Sequence, residues 1–207
     1  PNPVTDDEFI TFFVKQPEIN TRPFFTLGFL SNLMFEKGIE EFVALLDRSH
    51  QAGMSWRGAM AGKAINTDVQ TFTVRAKETL GDRLRLLGEV MGRQKIDFFN
   101  SVDVLLFPTR YKTEAFPLVV MESLLAGCPV ITTSRGCLPY FSHLESVHIV
   151  QNDSNFVEEA LAVLHEWSSS PERLRALKKK AHEEGLNLQR QHAAAFQNLV
   201  DEIKSCC

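Results

Sequence analysis

Val102-Asp-Val-Leu-Leu-Phe107, Glu114-Ala-Phe-Pro-Leu-Val-Val-Met-Glu122 and Pro129-Val-Ile-Thr132 follow one another as a strand, the approach and body of a helix, and a second strand. From Leu118 to Ala126 the run is apolar except at Glu122 and Ser123, so a helix made from it is buried on nearly all sides. A carboxylate in such a helix is costly unless something pairs with it. A second carboxylate, Glu114, stands just ahead of the helix start. Two acids framing a helix N-terminus indicate a place where hydroxyl-rich and phosphate-rich ligands are held together.

The same alternation extends in both directions. Strands read at Phe24–Leu30, Trp56–Ala61, Leu84–Leu87, Val102–Phe107, Pro129–Thr132 and Val147–Val150. Helices read at Gly38–Ser49, Asp68–Leu80, Gln94–Ser101, Pro117–Ala126 and Leu138–His143. Three helical stretches close the chain, near Phe156–Ser168, Pro171–Glu184 and Leu188–Lys204. Strand alternating with helix predicts a Rossmann-like, doubly wound parallel α/β sheet of about six strands with a helical C-terminal extension. Ligands of such sheets bind beyond the carboxyl ends of the strands at the switch point. The loops after residues 30, 61, 87, 107 and 132 are therefore where a site is expected.

Composition narrows the class. Hydrophobic content of 44% and charged content of 23% are those of a globular chain. A net charge of −4 argues against nucleic acid as a standing partner. The four cysteines, Cys128, Cys137, Cys206 and Cys207, lack a C-x-x-C pair or metal-ligand spacing, which points to free thiols and a cytoplasmic setting. Cys206-Cys207 reads either as a lipidation site or as a frayed tail. Lys178-Lys179-Lys180 reads as a solvated helix face, with Glu183 and Glu184 close behind. The six histidines form no H-x-x-x-H or H-E-x-x-H pattern and there is no D-x-D, so no catalytic metal is expected.

At the helix entrance, Pro117 suits the first helical position. The amides of Leu118 and Val119 are then free donors at the positive end of the dipole, a ready anion site. Glu122 lies more than a turn inside, and its side chain leans back toward the entrance. Its structural alternative is to cap nearby backbone or to pair with Arg110 or Arg135. Lys37 stands at the start of another helix, where a cation is disfavoured unless an anion joins it. Otherwise Lys37 points to solvent without a role.

Residues 114–131 resemble the pattern E-x-F-G-L/I-x-x-x-E-A-x-A-x-G-x-P-V-I/V of retaining glycosyltransferases of family 4 (glycosyl transferase group 1). The pattern lies in their nucleotide-sugar-binding C-terminal domain, one half of a GT-B architecture. The resemblance implies that Glu122 holds the ribose hydroxyls and Glu114 faces the donor sugar. Amides around Phe116, Leu118 and Val119 would hold the diphosphate and sugar hydroxyls. Pro117 replaces the usual Gly, and Ser123 the usual Ala. Ser31 to Gly38 aligns with the family's G-R-L-x-x-x-K-G, keeping Lys37 for the diphosphate and putting Asn32 where Arg is usual. Asn brings a hydrogen bond but no charge. Leu86–Lys95 resembles the loop near the nucleobase, which places Val90 and Lys95 there; Lys95 is equally readable as a surface helix residue. Ser134-Arg-Gly-Cys137 follows the fifth strand where the family carries Gly-Gly; Gly136 fits, and Cys137 reads as a small packed side chain.

The resemblance implies sugar transfer, of hexosyltransferase type, from a nucleotide-diphosphate sugar with retention, in glycan or cell-surface polysaccharide synthesis. It implies no cofactor beyond that substrate, and Lys37 and Glu114 as the catalytic pair. Residues 1–20 read as an interdomain segment leading from an absent N-terminal acceptor-binding domain, through which any peripheral membrane contact would be made. Residues 21–207 read as the donor domain, expected to transfer poorly on its own. The alternatives are a nucleotide-binding or interaction module whose site has decayed, and a GT-B sugar-nucleotide epimerase.

Overall fold

The computed structural model describes Phe12, residues 24–151 and residues 153–205. The expected interdomain segment at residues 1–20, apart from Phe12, and the Cys206-Cys207 pair lie outside the described residues. The strands are β1 (Thr26–Leu30), β2 (Arg57–Ala61), β3 (Leu84–Gly88), β4 (Val104–Phe107), β5 (Val130–Thr133) and β6 (Val147–Val150). The helices are α1 (Ile39–Gln51), α2 (Thr67–Leu80), α3 (Arg93–Ser101), α4 (Leu118–Leu125), α5 (Phe156–Trp167) and α6 (Pro171–Ser205). All six strands pair in parallel, in the order β3-β2-β1-β4-β5-β6. The order runs outward in both directions from the β1–β4 pair, which makes that pair the switch point.

Helices cover both faces of the sheet, so its central strands are apolar throughout rather than alternating. The Val-Leu-Leu-Phe of β4 and the Val-Ile-Thr-Thr of β5 are buried at every residue. On one face Phe98 and Phe99 of α3 and Val120, Met121 and Leu124 of α4 share a core with Phe141. On the other, Phe42, Leu45 and Leu46 of α1 meet Val69 and Leu80 of α2 and Leu164 and Trp167 of α5. The expected doubly wound sheet of six strands is the one the chain forms. The stretch at Leu138–His143 is helical as expected, but 3-10 rather than α.

The C-terminal extension differs from the expectation of two helices after Trp167. Pro171 to Ser205 is one helix of 35 residues. Gly185 does not interrupt it; its missing side chain makes room for α4. A Cβ at Gly185 would stand 2.5 Å from the backbone nitrogen of Leu125 and 2.6 Å from the carbonyl carbon of Leu124. Gly185→Ala is therefore expected to destabilise the fold by about 1–3 kcal/mol through overpacking. On an unencumbered helix the same change would stabilise by about 1 kcal/mol. The sign read from urea unfolding separates the two.

Lys178 corrects a second expectation, that the three-lysine run is a solvated face. Lys178 is buried, with its Nζ 3.1 Å from Asp103 Oδ1 and 3.4 Å from the Val102 carbonyl. Asp103 in turn accepts the Thr26 amide at 2.9 Å, at the start of β1. Farther along α6, His182 Nδ1 lies 2.6 Å from the Leu125 carbonyl. The buried Glu184 accepts the amides of Glu145 and Ser146 and the Ser146 hydroxyl. Charged groups inside a protein persist only when paired in this way.

Candidate functional site

The sequence-predicted residues follow the carboxyl ends of β1, β3 and β4. Past β1, a 3-10 turn at Phe35–Lys37 ends on Gly38, which caps α1 with φ 87. Only glycine fits there: a Cβ would stand 2.3 Å from the Pro108 carbonyl oxygen. The close approach seats Lys37 against the segment that leaves β4. Arg110 clips the same two segments together. Its amide donates to the Glu36 carbonyl at 2.7 Å, and its guanidinium pairs with Glu40 and Glu41 of α1.

Lys37 Nζ reaches Glu114 Oε2 at 2.5 Å, and both side chains are largely buried. The ammonium also sits 4.7 Å from the Tyr111 ring centroid and 5.5 Å from that of Phe107, within cation–π range. Thr109 Oγ1 donates to the same Glu114 oxygen at 3.1 Å. Gly136, with φ 52, lies under this loop, where a Cβ would come within 1.8 Å of the Glu114 carbonyl oxygen. Sequence reasoning singled out Gly136 but missed Thr109 and Tyr111. The signal for both was position, just beyond the end of β4.

A second pair lies farther along α4. Lys95 Nζ of α3 meets Glu122 Oε1 at 3.0 Å; the Glu122 side chain is 4% exposed and that of Lys95 22%. The partner of Glu122 is thus neither Arg110 nor Arg135. Burial pushes the Glu122 carboxyl above its usual range, and the Lys95 charge and hydrogen bond pull it partly back. Pro117 proves to be the N-cap of α4, with ψ 99, rather than its first helical residue. No side chain caps the first turn, so the amides of Leu118 and Val119 keep the exposed dipole end expected of them.

Phe116 is partly exposed and packs its ring on Phe141 and on His192 of α6. Val90 is half-buried against the α3–α4 core. Asn32 is exposed, and no hydrogen bond to it is formed among the described residues. Cys137 is half-buried, its thiol pushed up by burial and, to a lesser extent, by the Glu114 charge, as suits a packed side chain. Leu125 stands where the aligned pattern has Ala, and it is buried against α6. Among the described residues no three His, Cys, Asp or Glu side chains gather where they could hold a metal ion.

Residues 10–184 match the family profile of the glycosyl transferases group 1. The chain belongs to this family. Among its relatives is the phosphatidylinositol N-acetylglucosaminyltransferase gpi3 subunit of Schizosaccharomyces pombe, 30% identical over 127 residues, which are 61% of this chain and 27% of the relative. The fold is that of the pneumococcal O-GlcNAc transferase GtfA, solved with UDP and GlcNAc (TM-score 0.73, 17% identity, 90% of this chain and 37% of that one). The C-terminal domain of a glycosyl transferase group 1 family protein (LpcC) from Francisella tularensis is similar too (TM-score 0.63, 16% identity, 77% of this chain and 83% of that one). This group 1 chain spans about a quarter of the length of the curated relatives it matches. No helix among its described residues is long and apolar enough to cross a membrane.

Proposed function

We propose that this chain is the donor-binding domain of a glycosyltransferase that moves a sugar from a nucleoside-diphosphate sugar to an acceptor with retention at the anomeric carbon. The observation that carries the reading is the pair of lysine–carboxylate contacts flanking the α4 entrance, Lys37–Glu114 and Lys95–Glu122. Glu122 would accept the ribose hydroxyls and Glu114 would face the sugar. Lys37 and the amides of Leu118 and Val119 would meet the diphosphate. Transfer of this kind is chiefly charge stabilisation of an oxocarbenium-like state and a departing diphosphate, and Lys37 is the cation placed for it. Val90 and Lys95 border the nucleobase side, and Phe116 the sugar side. The acceptor would be held by an N-terminal domain outside this chain, in keeping with a family member whose C-terminal domain is similar over most of its length. The reading places the chain in the cytoplasm and assigns no metal or cofactor to it.

Asn32 favours a second reading, binding without transfer. It puts an uncharged, exposed side chain where the family pattern has a cation. Glycosyl transfer by the longer protein excludes that reading.

Calorimetric titration with UDP, GDP and ADP, each free and sugar-linked, tests the donor site, and pH gives it a signature. Ribose hydroxyls donate to a carboxylate, so affinity should fall as Glu122 takes up its proton. Because burial holds that group above the usual carboxylate range, the fall begins at a higher pH than an exposed Glu would give. Folding stability moves the other way. A carboxyl whose value is raised by folding contributes stability that is present at low pH and lost as pH rises through the raised value. Glu122→Gln should bind weakly and without this pH dependence. Sugar-linked nucleotides serve best, since their diphosphate takes up no proton in this window. No binding of any of the three nucleotides would end the donor-site reading.

A further inference from the structure

We infer that Thr109 is a positioning residue for Glu114, keeping one carboxylate oxygen tied to the protein while the other is presented to the ligand; this rests on the donor-site reading. Thr109 is fully buried and lies two residues past the end of β4. Its hydroxyl donates to Glu114 Oε2 at 3.1 Å and accepts the Tyr111 amide at 3.2 Å. Its carbonyl accepts the Thr133 hydroxyl of β5 at 2.5 Å. A hydroxyl has one proton to donate, and this one is given to the carboxylate. The Glu114 amide also closes back on the Tyr111 carbonyl at 3.4 Å. Glu114 is thus held through both backbone and side chain by a loop pinned to the sheet.

Both contacts to the Glu114 carboxylate, from Lys37 and from Thr109, fall on Oε2. No hydrogen bond or ion pair to Oε1 is formed among the described residues, so Oε1 is the oxygen left to accept a sugar hydroxyl. The two holders differ in what ligand entry does to them. Lys37 is the cation that a diphosphate would draw away, whereas Thr109 is pinned to β5 at the carboxyl end of the sheet. Once Lys37 turns to the phosphates, the Thr109 hydroxyl is what keeps Glu114 aimed. Its effect therefore falls on the sugar and spares the nucleotide.

The test compares Thr109→Val, which keeps shape and removes the hydroxyl, with Thr109→Ser, which keeps the hydroxyl. Each is titrated with UDP and UDP-glucose, GDP and GDP-mannose, and ADP and ADP-glucose. For the pair that binds, valine should weaken the sugar-linked nucleotide by about tenfold, the order of one hydrogen bond to a charged group. It should leave the free nucleotide within about twofold, and serine should restore both to about the same margin. Equal losses for free and sugar-linked nucleotide, or none, would overturn the inference. Thr109→Cys, whose thiol is a weak donor, replaces valine if that variant does not fold. A ligand-free measurement keeps the two readings apart. The rate of Lys37 acetylation, read by mass spectrometry with Lys95 as internal standard, should differ from that of the unaltered protein in the valine variant and match it in the serine variant. If no nucleotide binds but this change is seen, the donor reading fails and the positioning of Glu114 stands. If Lys37 labels alike in all three proteins, Thr109 does not position the pair.

Discussion

Glu122→Ala is expected to weaken nucleotide binding by at least about a hundredfold. Two vicinal ribose hydroxyls donating to a buried carboxylate make two charge-assisted hydrogen bonds, each worth about 1.5–3 kcal/mol. Losing both removes about 3 kcal/mol or more, and each 1.4 kcal/mol is tenfold in affinity. Water does not make good the loss, since the carboxylate side chain is 4% exposed. The fold should tolerate the change, because Lys95 is 22% exposed and can turn its ammonium to solvent. A thermal melt beside the titration checks that. Unchanged affinity in a folded variant would remove Glu122 from the nucleotide site and leave its contact with Lys95 as a purely structural pair.

The second large effect is on stability, at the opposite end of the sheet. Lys178→Met keeps most of the apolar stem and removes the ammonium that meets Asp103. Both side chains of that pair are at most 10% exposed, so the Asp103 carboxylate loses a buried counter-charge. Breaking such a pair by deleting one partner costs about 3–5 kcal/mol. Against a total of about 5–15 kcal/mol for a typical domain, this is a large share of the reserve. Urea unfolding should show the midpoint falling sharply while nucleotide affinity, measured well below that midpoint, stays unchanged. A loss under about 1 kcal/mol would mean that the pair behaves as an exposed one.

The two sites were unequally legible in the sequence. The central strands β1, β4 and β5 announce themselves locally, through runs buried at every residue, and across all six strands only the ends shifted by a residue or two. The chemical types at the α4 entrance were also legible, since Glu122 in an apolar helix demands a partner. Which partner was not: Lys37 and Glu114 are 77 positions apart, and Lys95 and Glu122 are 27. Lys178 was misread because a run of three lysines looks solvated, and nothing nearby hints that one faces Asp103, 75 positions earlier. The single helix α6 was read as two stretches, with Gly185 between them, for the same reason. A glycine between two helical patterns suggests a break, while the backbone it accommodates belongs to Leu124 and Leu125. Thr109 carries no pattern of its own. It becomes visible only when the loop folds back and sets its hydroxyl against Glu114.

The contacts of α6 also bear on the order in which the molecule can be completed as it is synthesised. Asp103 at the foot of β4, the Leu125 carbonyl at the end of α4 and Ser146 ahead of β6 find partners in Lys178, His182 and Glu184 of α6. A nascent chain that has extruded all six strands still lacks these contacts from α6. Domains generally fold as units, and this one cannot complete its buried polar pairs until that part of α6 is available. Residues 178–184, in the first half of α6, are the ones that close it.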